Sequence, residues 1–296
     1  MGNIILRLFG PLIVIILLSC NAEEVDPASI GVVQEKLVVN GIIENLSDTL
    51  YFQLSSSEYA YNAEFPEKLD TADMEVKING NLQPVNFDPF KEKFFATTQT
   101  KENDVLEITV KKERFQTIFA KTIIPSSPKN YEVKILEGQG LDSRNEQSDI
   151  VQISFIDPPE QKNYYGFKLL YLEQGTNVFR DVIFEKNDMV LLGSDLIEQN
   201  DKTFIFSDIG FNGENKVLQI VPESGQGNFN PDVKYLLFFY HLHPDYYRYL
   251  ASLKSYNEDF GNNDFSPFRL SSGVFTNVSN GLGIWSSQYH SIDTLR

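Results

Sequence analysis

The chain holds three histidines, and two of them, His241 and His243, are separated by one leucine. On a strand that spacing sets both imidazoles on one face, where Asp245 or His290 would complete a tetrahedral zinc set. The residue that follows argues against this. Pro244 suits the first position of a helix, where its missing N–H costs no hydrogen bond, so His243 becomes the helix cap and leaves the strand. The two imidazoles then diverge. The expectation is two structural histidines, with no metal and no cofactor.

Other groups invite chemistry and answer to plainer readings. Asn257-Glu258-Asp259-Phe260-Gly261-Asn262-Asn263-Asp264 is rich in oxygen ligands but lacks the D-x-[DN]-x-[DN]-G spacing of a calcium-binding loop, and reads as a solvated loop after a helix. Gly138-Gln139-Gly140 and Gly281-Leu282-Gly283 begin a dinucleotide fingerprint, but Ser143 and Ser286 stand where its third glycine belongs and neither opens a βαβ unit. Both read as turns. The chain has no G-x-S-x-G, H-E-x-x-H or phosphate-binding loop, and its 41 Asp and Glu residues offer too many carboxylate pairs for any one to be singled out as an acid–base dyad. Tyr246-Tyr247-Arg248-Tyr249 could stack on a sugar. Helical spacing turns Tyr246 and Tyr249 inward and leaves Tyr247 as the exposed aromatic. Asp48-Thr49-Leu50, Asp70-Thr71-Ala72 and Asp293-Thr294-Leu295 match a D-[ST]-apolar pattern for O-glycosylation.

The most specific signal lies at the start. Met1 to Ser19 carries one basic residue, Arg7, then an apolar run from Leu8 to Leu18. That run is too short for the roughly 20 apolar residues that span a bilayer, and has the layout of a secretory signal. It ends in Leu17-Leu18-Ser19-Cys20, which resembles a lipobox, so cleavage is expected between Ser19 and Cys20, with Cys20 acylated as the new N-terminus. Each buried acyl CH₂ contributes about 0.8 kcal/mol, and two or three chains hold a protein to a membrane durably. Cys20 is the single cysteine, so no thiol remains for catalysis, disulfides or metal binding. Behind it, Asn21-Ala22-Glu23-Glu24-Val25-Asp26-Pro27 has no apolar period and reads as a flexible tether, with Glu23 and Glu24 resembling an acidic surface-export tag. The formal net charge is −16, which excludes nucleic acid as a partner.

The elements that must position these residues are mainly β. Leu50, Phe52 and Leu54, then Met74, Val76 and Ile78, then Leu106, Ile108 and Val110 recur at period two, and Asn79-Gly80 supplies a tight hairpin turn. Pro125-Ser126-Ser127-Pro128-Lys129-Asn130 breaks the pattern and reads as a semi-rigid linker. Strand patterns resume at Tyr131 to Leu136, Ile150 to Ile156, Tyr164 to Leu172, Val178 to Phe184 and Lys216 to Val221. One helix near 244–257 is expected after the apolar run Tyr235 to Tyr240. The predicted organisation is a signal peptide at 1–19, an acidic tether at 20–34, and an immunoglobulin-like β-sandwich at 35–125. A linker at 126–130 then leads to a second β-sandwich domain at 131–296 with the helix inserted. The 23 Phe and 14 Tyr supply large areas for burial.

Several segments together resemble a known family: Lys36-Leu37-Val38-Val39-Asn40-Gly41, Asp157-Pro158-Pro159 with Asn163-Tyr164-Tyr165, Phe206-Ser207-Asp208 with Phe211-Asn212-Gly213, Tyr246-Tyr247-Arg248-Tyr249-Leu250, and Asn277 with Gly281-Leu282-Gly283-Ile284. In this order and spacing they resemble the envelope lipoproteins of domain-of-unknown-function family 4249, across nearly the whole mature chain. Trp285 stands where that family commonly has phenylalanine. The resemblance implies a mostly β outer-membrane lipoprotein, often encoded near TonB-dependent receptors, without assigned catalytic residues. The reading is therefore a non-catalytic outer-membrane lipoprotein, facing the cell surface or the periplasm, that works beside a TonB-dependent receptor or binds an extracellular ligand. The alternatives are an envelope hydrolase with an unrecognised carboxylate site and a structural surface protein.

Overall fold

The computed structural model describes residues 35–45, 47–57, 68–223, 229–261 and 273–295. The expected signal peptide at 1–19 and the expected cleavage, acylation and export positions Ser19, Cys20, Glu23 and Glu24 lie outside the described residues.

In β1 (Leu37–Glu44) and β2 (Thr49–Ser56) buried and half-buried positions alternate strictly, as a sheet with one face on a core requires. β3 (Asp73–Ile78) and β4 (Asn81–Gln83) form the expected hairpin, with Asn79 and Gly80 both at positive φ, 50° and 80°. β5 (Asn86–Asp88), β6 (Lys93–Thr97), β7 (Val105–Lys111) and β8 (Ile118–Ile123) follow. The second half opens with β9 (Lys129–Leu141), β10 (Gln147–Ile156) and β11 (Tyr164–Leu172). The expected strand over Val178 to Phe184 divides: β12 (Phe179–Asp181) pairs with β11, while β13 (Phe184–Glu185) crosses to another sheet. β14 (Ile197–Glu198), β15 (Phe204–Ser207), β16 (Asn215–Pro222) and β17 (Tyr235–Leu242) lead into α1 (Pro244–Gly261), and β18 (Leu282–Thr294) ends the chain.

A long sheet runs β14-β15-β11-β17-β18-β1-β2-β6-β5, with β12 beside β11, and two four-stranded sheets, β4-β3-β7-β8 and β13-β16-β10-β9, face it. Each short sheet closes a separate core. Leu37, Val39, Phe52, Val76, Ile108 and Ile118 belong to the first. Val151, Phe155, Phe167, Phe206, Leu218 and Phe239 belong to the second. The protein is thus mainly β and sandwich-like at both ends, with a single α-helix among the described residues.

The two sandwiches are not strung on a spacer. β18 pairs in parallel with β1, from Val38↔Leu282 to Glu44↔Gln288, and antiparallel with β17, so the final strand joins the halves in one sheet. It also delivers Trp285, fully buried, into the first core beside Val278. The expected linker at 126–130 is held along its length. Ser126 O meets His241 Nδ1 at 2.8 Å, Ser127 N–H donates to Glu102 Oε2 at 2.9 Å, Pro128 is buried, and Lys129 and Asn130 already belong to β9.

Of the two glycine pairs expected as turns, Gly138 and Gly140 lie in β9, while Gly281 does bend the chain into β18 and Gly283 lies inside that strand. Gly138, at φ 61°, makes a bulge in β9 where its N–H donates to Asp149 Oδ1 at 2.8 Å and the register with β10 shifts. Gly283 sits inside β18 at φ 93°, and a Cβ there would lie 2.2 Å from Val39 O. Only glycine allows β1 and β18 to approach so closely.

Candidate ligand groove and histidine corner

β17 alternates, so Tyr235, Leu237, Phe239 and His241 face the second core while Tyr240 and Leu242 face outward. His243 then caps α1 as expected. Its Nδ1 accepts from Asp245 N–H at 3.2 Å and its carbonyl from Tyr246 N–H at 2.9 Å. The helix lies on the outer face of the long sheet, over Tyr164, Ile205 and Leu242, and its Leu250 is buried there. α1 runs on to Gly261, so the segment 257–264 expected as a loop starts as helix, and 262–264 lie outside the described residues.

This docking overturns the expectation of an exposed Tyr247. Its ring stacks on Tyr164 at 4.1 Å and 19°, and its hydroxyl donates to Asp195 O at 2.8 Å. The residue is half-buried because the segment around Asp195 covers the side of the helix that an isolated amphipathic helix would give to water. Tyr246 and Tyr249, expected to point into a core, are half-buried and line a groove.

That groove, of about 470 Å³, lies between the first turns of α1 and the outer face of β1 and β2. Its sheet wall carries Asn40, Ile42, Glu44, Tyr51 and Gln53, its helix wall Tyr246, Tyr249 and Leu250, and Ile284 of β18 closes one side. The polar wall follows from period two: with Leu37, Val39 and Ile43 in the core, Asn40, Ile42 and Glu44 must face away. Asn40 Oδ1 is buried and has no hydrogen-bond partner among the described residues. It lies over Gly283, where a Cβ would come within 2.9 Å of it. Burial, reinforced by the Glu44 carboxylate, pushes the Tyr246 phenol up to about 12, and burial also raises Tyr249, so both hydroxyls stay neutral at physiological pH. Glu44 accepts from Gln288 Nε2 at 2.8 Å, and Lys93 adds a charge of opposite sign. Lys91 lies 4.2 Å from the centre of the Tyr51 ring and donates to its hydroxyl at 2.7 Å.

A second feature forms where β10, β11, β15 and β17 end together. His241 places Nδ1 2.8 Å from Ser126 O and Nε2 3.3 Å from Asn163 Oδ1, and its ring stacks on Tyr165 at 4.9 Å. Asn163 N–H donates to Asp208 Oδ2 at 2.7 Å, while Asp157 accepts from Tyr165 OH at 2.7 Å and from Gly213 N–H at 2.8 Å. Burial lowers the affinity of His241 for a proton despite the Ser126 carbonyl, and burial raises Asp208 despite the Asn163 N–H. A cleft of about 290 Å³ opens here beside Pro125, Gln161 and His243. His241 and His243 engage separate partners, while His290 lies on β18 with Nδ1 3.5 Å from Glu44 Oε2. Among the described residues no three His, Cys, Asp or Glu side chains gather as a metal site. Of the glycosylation-like threonines, Thr71 and Thr294 are exposed, and Thr49 is half-buried at the groove.

A family model described as Domain of unknown function (DUF4249) matches residues 23–290. The chain belongs to this family. No curated protein matches it. In this DUF4249 chain the segments that carry the resemblance meet in space: Asp157, Asn163, Asp208 and Gly213 make the corner under His241, while Asn40, Tyr246 and Ile284 line the groove. The corner fastens four strand ends by hydrogen bonds from its own backbone, whereas the groove leaves a buried acceptor without a partner. Sequence reasoning missed the groove because its walls come from residues about 200 positions apart. The signal that could have pointed to it was the outward stripe of β1, where Asn40 and Glu44 are polar beside Val38 and Ile42.

Proposed function

We propose that this DUF4249 chain is a non-catalytic binding lipoprotein, tethered to the outer membrane through an acylated Cys20, that holds its ligand in the groove beside α1 and works beside a TonB-dependent receptor. The observation that carries the reading is the groove: a cavity within the roughly 300–1,000 Å³ range of ligand sites, walled by aromatic rings and hydrogen-bonding side chains. The hydrolase alternative draws on the histidine corner, where a low-affinity imidazole lines a cleft and Asn163 links it to a raised carboxyl. Its carboxylate oxygens, however, already accept from Asn163, Gly213 and Tyr165, which suits fastening better than proton transfer.

The test is a pull-down of the native lipoprotein from detergent-solubilised outer membranes. A co-purifying β-barrel receptor, with membrane attachment lost in Cys20→Ala, is the expected result. Attachment unchanged by that substitution, or recovery of no barrel protein, refutes the tether or the partner respectively.

A further inference from the structure

We infer that the groove beside α1 takes a short neutral saccharide, with pyranose faces against Tyr246, Tyr249 and Tyr51 and sugar hydroxyls bonding to the amides of Asn40 and Gln53; this rests on the binding role proposed above. The wall chemistry selects the class. Three tyrosine rings give electron-rich faces that attract polarised C–H groups, and sugar rings present such C–H groups on their flat sides. The same wall carries amides at Asn40 and Gln53 and hydroxyls at Ser47 and Thr49, so each apolar contact has a hydrogen-bonding neighbour. A purely apolar ligand would leave those groups dry and unpaired, and Asn40 Oδ1 is already buried in that state. An ionic ligand meets no field of one sign, since Glu44 and Lys93 both line the groove with opposite charges and the phenols carry none. A neutral molecule bearing hydroxyls around apolar ring faces satisfies all of these walls at once. The size of the groove suits two or three sugar units.

Two features keep the site ready without ligand. Gly283 leaves the space that Asn40 Oδ1 occupies, which fixes the amide between β1 and β18. Tyr51 is steadied by Lys91, which donates to its hydroxyl and covers its ring. A preformed site avoids the ordering cost that weak saccharide contacts could not offset.

The test uses the full lipoprotein in detergent, titrated by calorimetry and saturation-transfer NMR with maltotriose, cellotriose and N-acetylchitotriose, and with trialanine and inositol hexakisphosphate as comparators. Saturable binding of at least one trisaccharide is expected, with transfer to ring C–H protons and about tenfold weaker binding in Asn40→Ala, the effect of one lost hydrogen bond. Tyr249→Phe keeps the ring and the fold and removes only the hydroxyl, so it should weaken binding less than Tyr249→Ala. Saturation by no trisaccharide overturns the inference. Trisaccharide binding unchanged in Asn40→Ala and Tyr249→Ala, each with an unchanged melting temperature, also overturns it by placing the sugar elsewhere. Binding of trialanine or the polyphosphate alone, lost in the same variants, overturns the saccharide class while leaving the groove as the binding site.

Discussion

Trp285→Ala tests the way the two halves are joined. The indole belongs to the last strand, yet it is fully buried in the first core, edge-on to Phe52 at 5.5 Å and 85°, with Nε1–H donating to Leu106 O at 3.2 Å. Gly41 is a glycine for the same reason, since a Cβ there would lie 2.9 Å from the indole. Truncation of a buried Trp costs about 3–5 kcal/mol, of which the aromatic pair accounts for about 0.5–1.5 and the hydrogen bond for about 1. Against a total of about 5–15 kcal/mol the loss is large, and at about 2–4 °C per kcal/mol for a chain of this size a cost near 4 kcal/mol lowers the melting temperature by about 8–16 °C. Urea unfolding followed by circular dichroism is the assay. Trp285→Phe, which keeps a ring and gives up the N–H donor, should lose about 1–2 kcal/mol, and Ile292→Ala, at a residue 52% exposed on the same strand, should stay within about 0.5. A cost below about 1 kcal/mol for Trp285→Ala would refute the account of β18 as the strand that ties the sandwiches together.

Gly283→Ala should be harsher, at about 3 kcal/mol or more, because it adds a left-handed φ penalty to a Cβ contact of 2.2 Å with Val39 O; soluble expression with wild-type melting would contradict this. Both His241 and His243 are held below their ordinary proton affinity by burial, so the unfolded state binds more protons near pH 6. Stability should be full above about pH 6.5 and fall as the pH drops through their lowered values, and His241→Gln should flatten that slope; an unchanged pH profile in the variant would count against the buried neutral imidazole. Tyr247→Phe should cost about 1 kcal/mol through the hydroxyl bond to Asp195 O, and a neutral result would mean that this phenol faces water after all.

Much of the architecture was legible because burial on one face of a sheet imposes period two. Leu50, Phe52 and Leu54, Val76 and Ile78, and Leu106, Ile108 and Val110 all point into one core, and Asn79-Gly80 turns the hairpin they require. His243-Pro244 marked the start of α1 because a proline has few other places to stand. β18 was hidden. Its buried stretch mixes Ile284 and Trp285 with Ser286 and Ser287, since one side meets a core and the other a helix, and Gly283, two residues after the bend at Gly281, extends the look of a turn into the strand. Its pairing with β1 is also remote in sequence, beyond the reach of any local pattern. Tyr247 was misplaced because a helical wheel knows which residues share a face, but not that the segment around Asp195 covers a second one. The groove was illegible for a related reason: Asn40 and Tyr249 become neighbours only once β1, β18 and α1 have assembled.

The claim that matters most is binding without turnover in that groove. Its most direct measurement is mass spectrometry of whatever small molecule accompanies the native protein from the cells that make it, compared with the same preparation of Asn40→Ala, before and after incubation with the released molecule. An intact saccharide, present on the native protein, depleted on the variant and unchanged by incubation, is the result predicted. A molecule cleaved on incubation, or one retained equally by Asn40→Ala, would contradict the account.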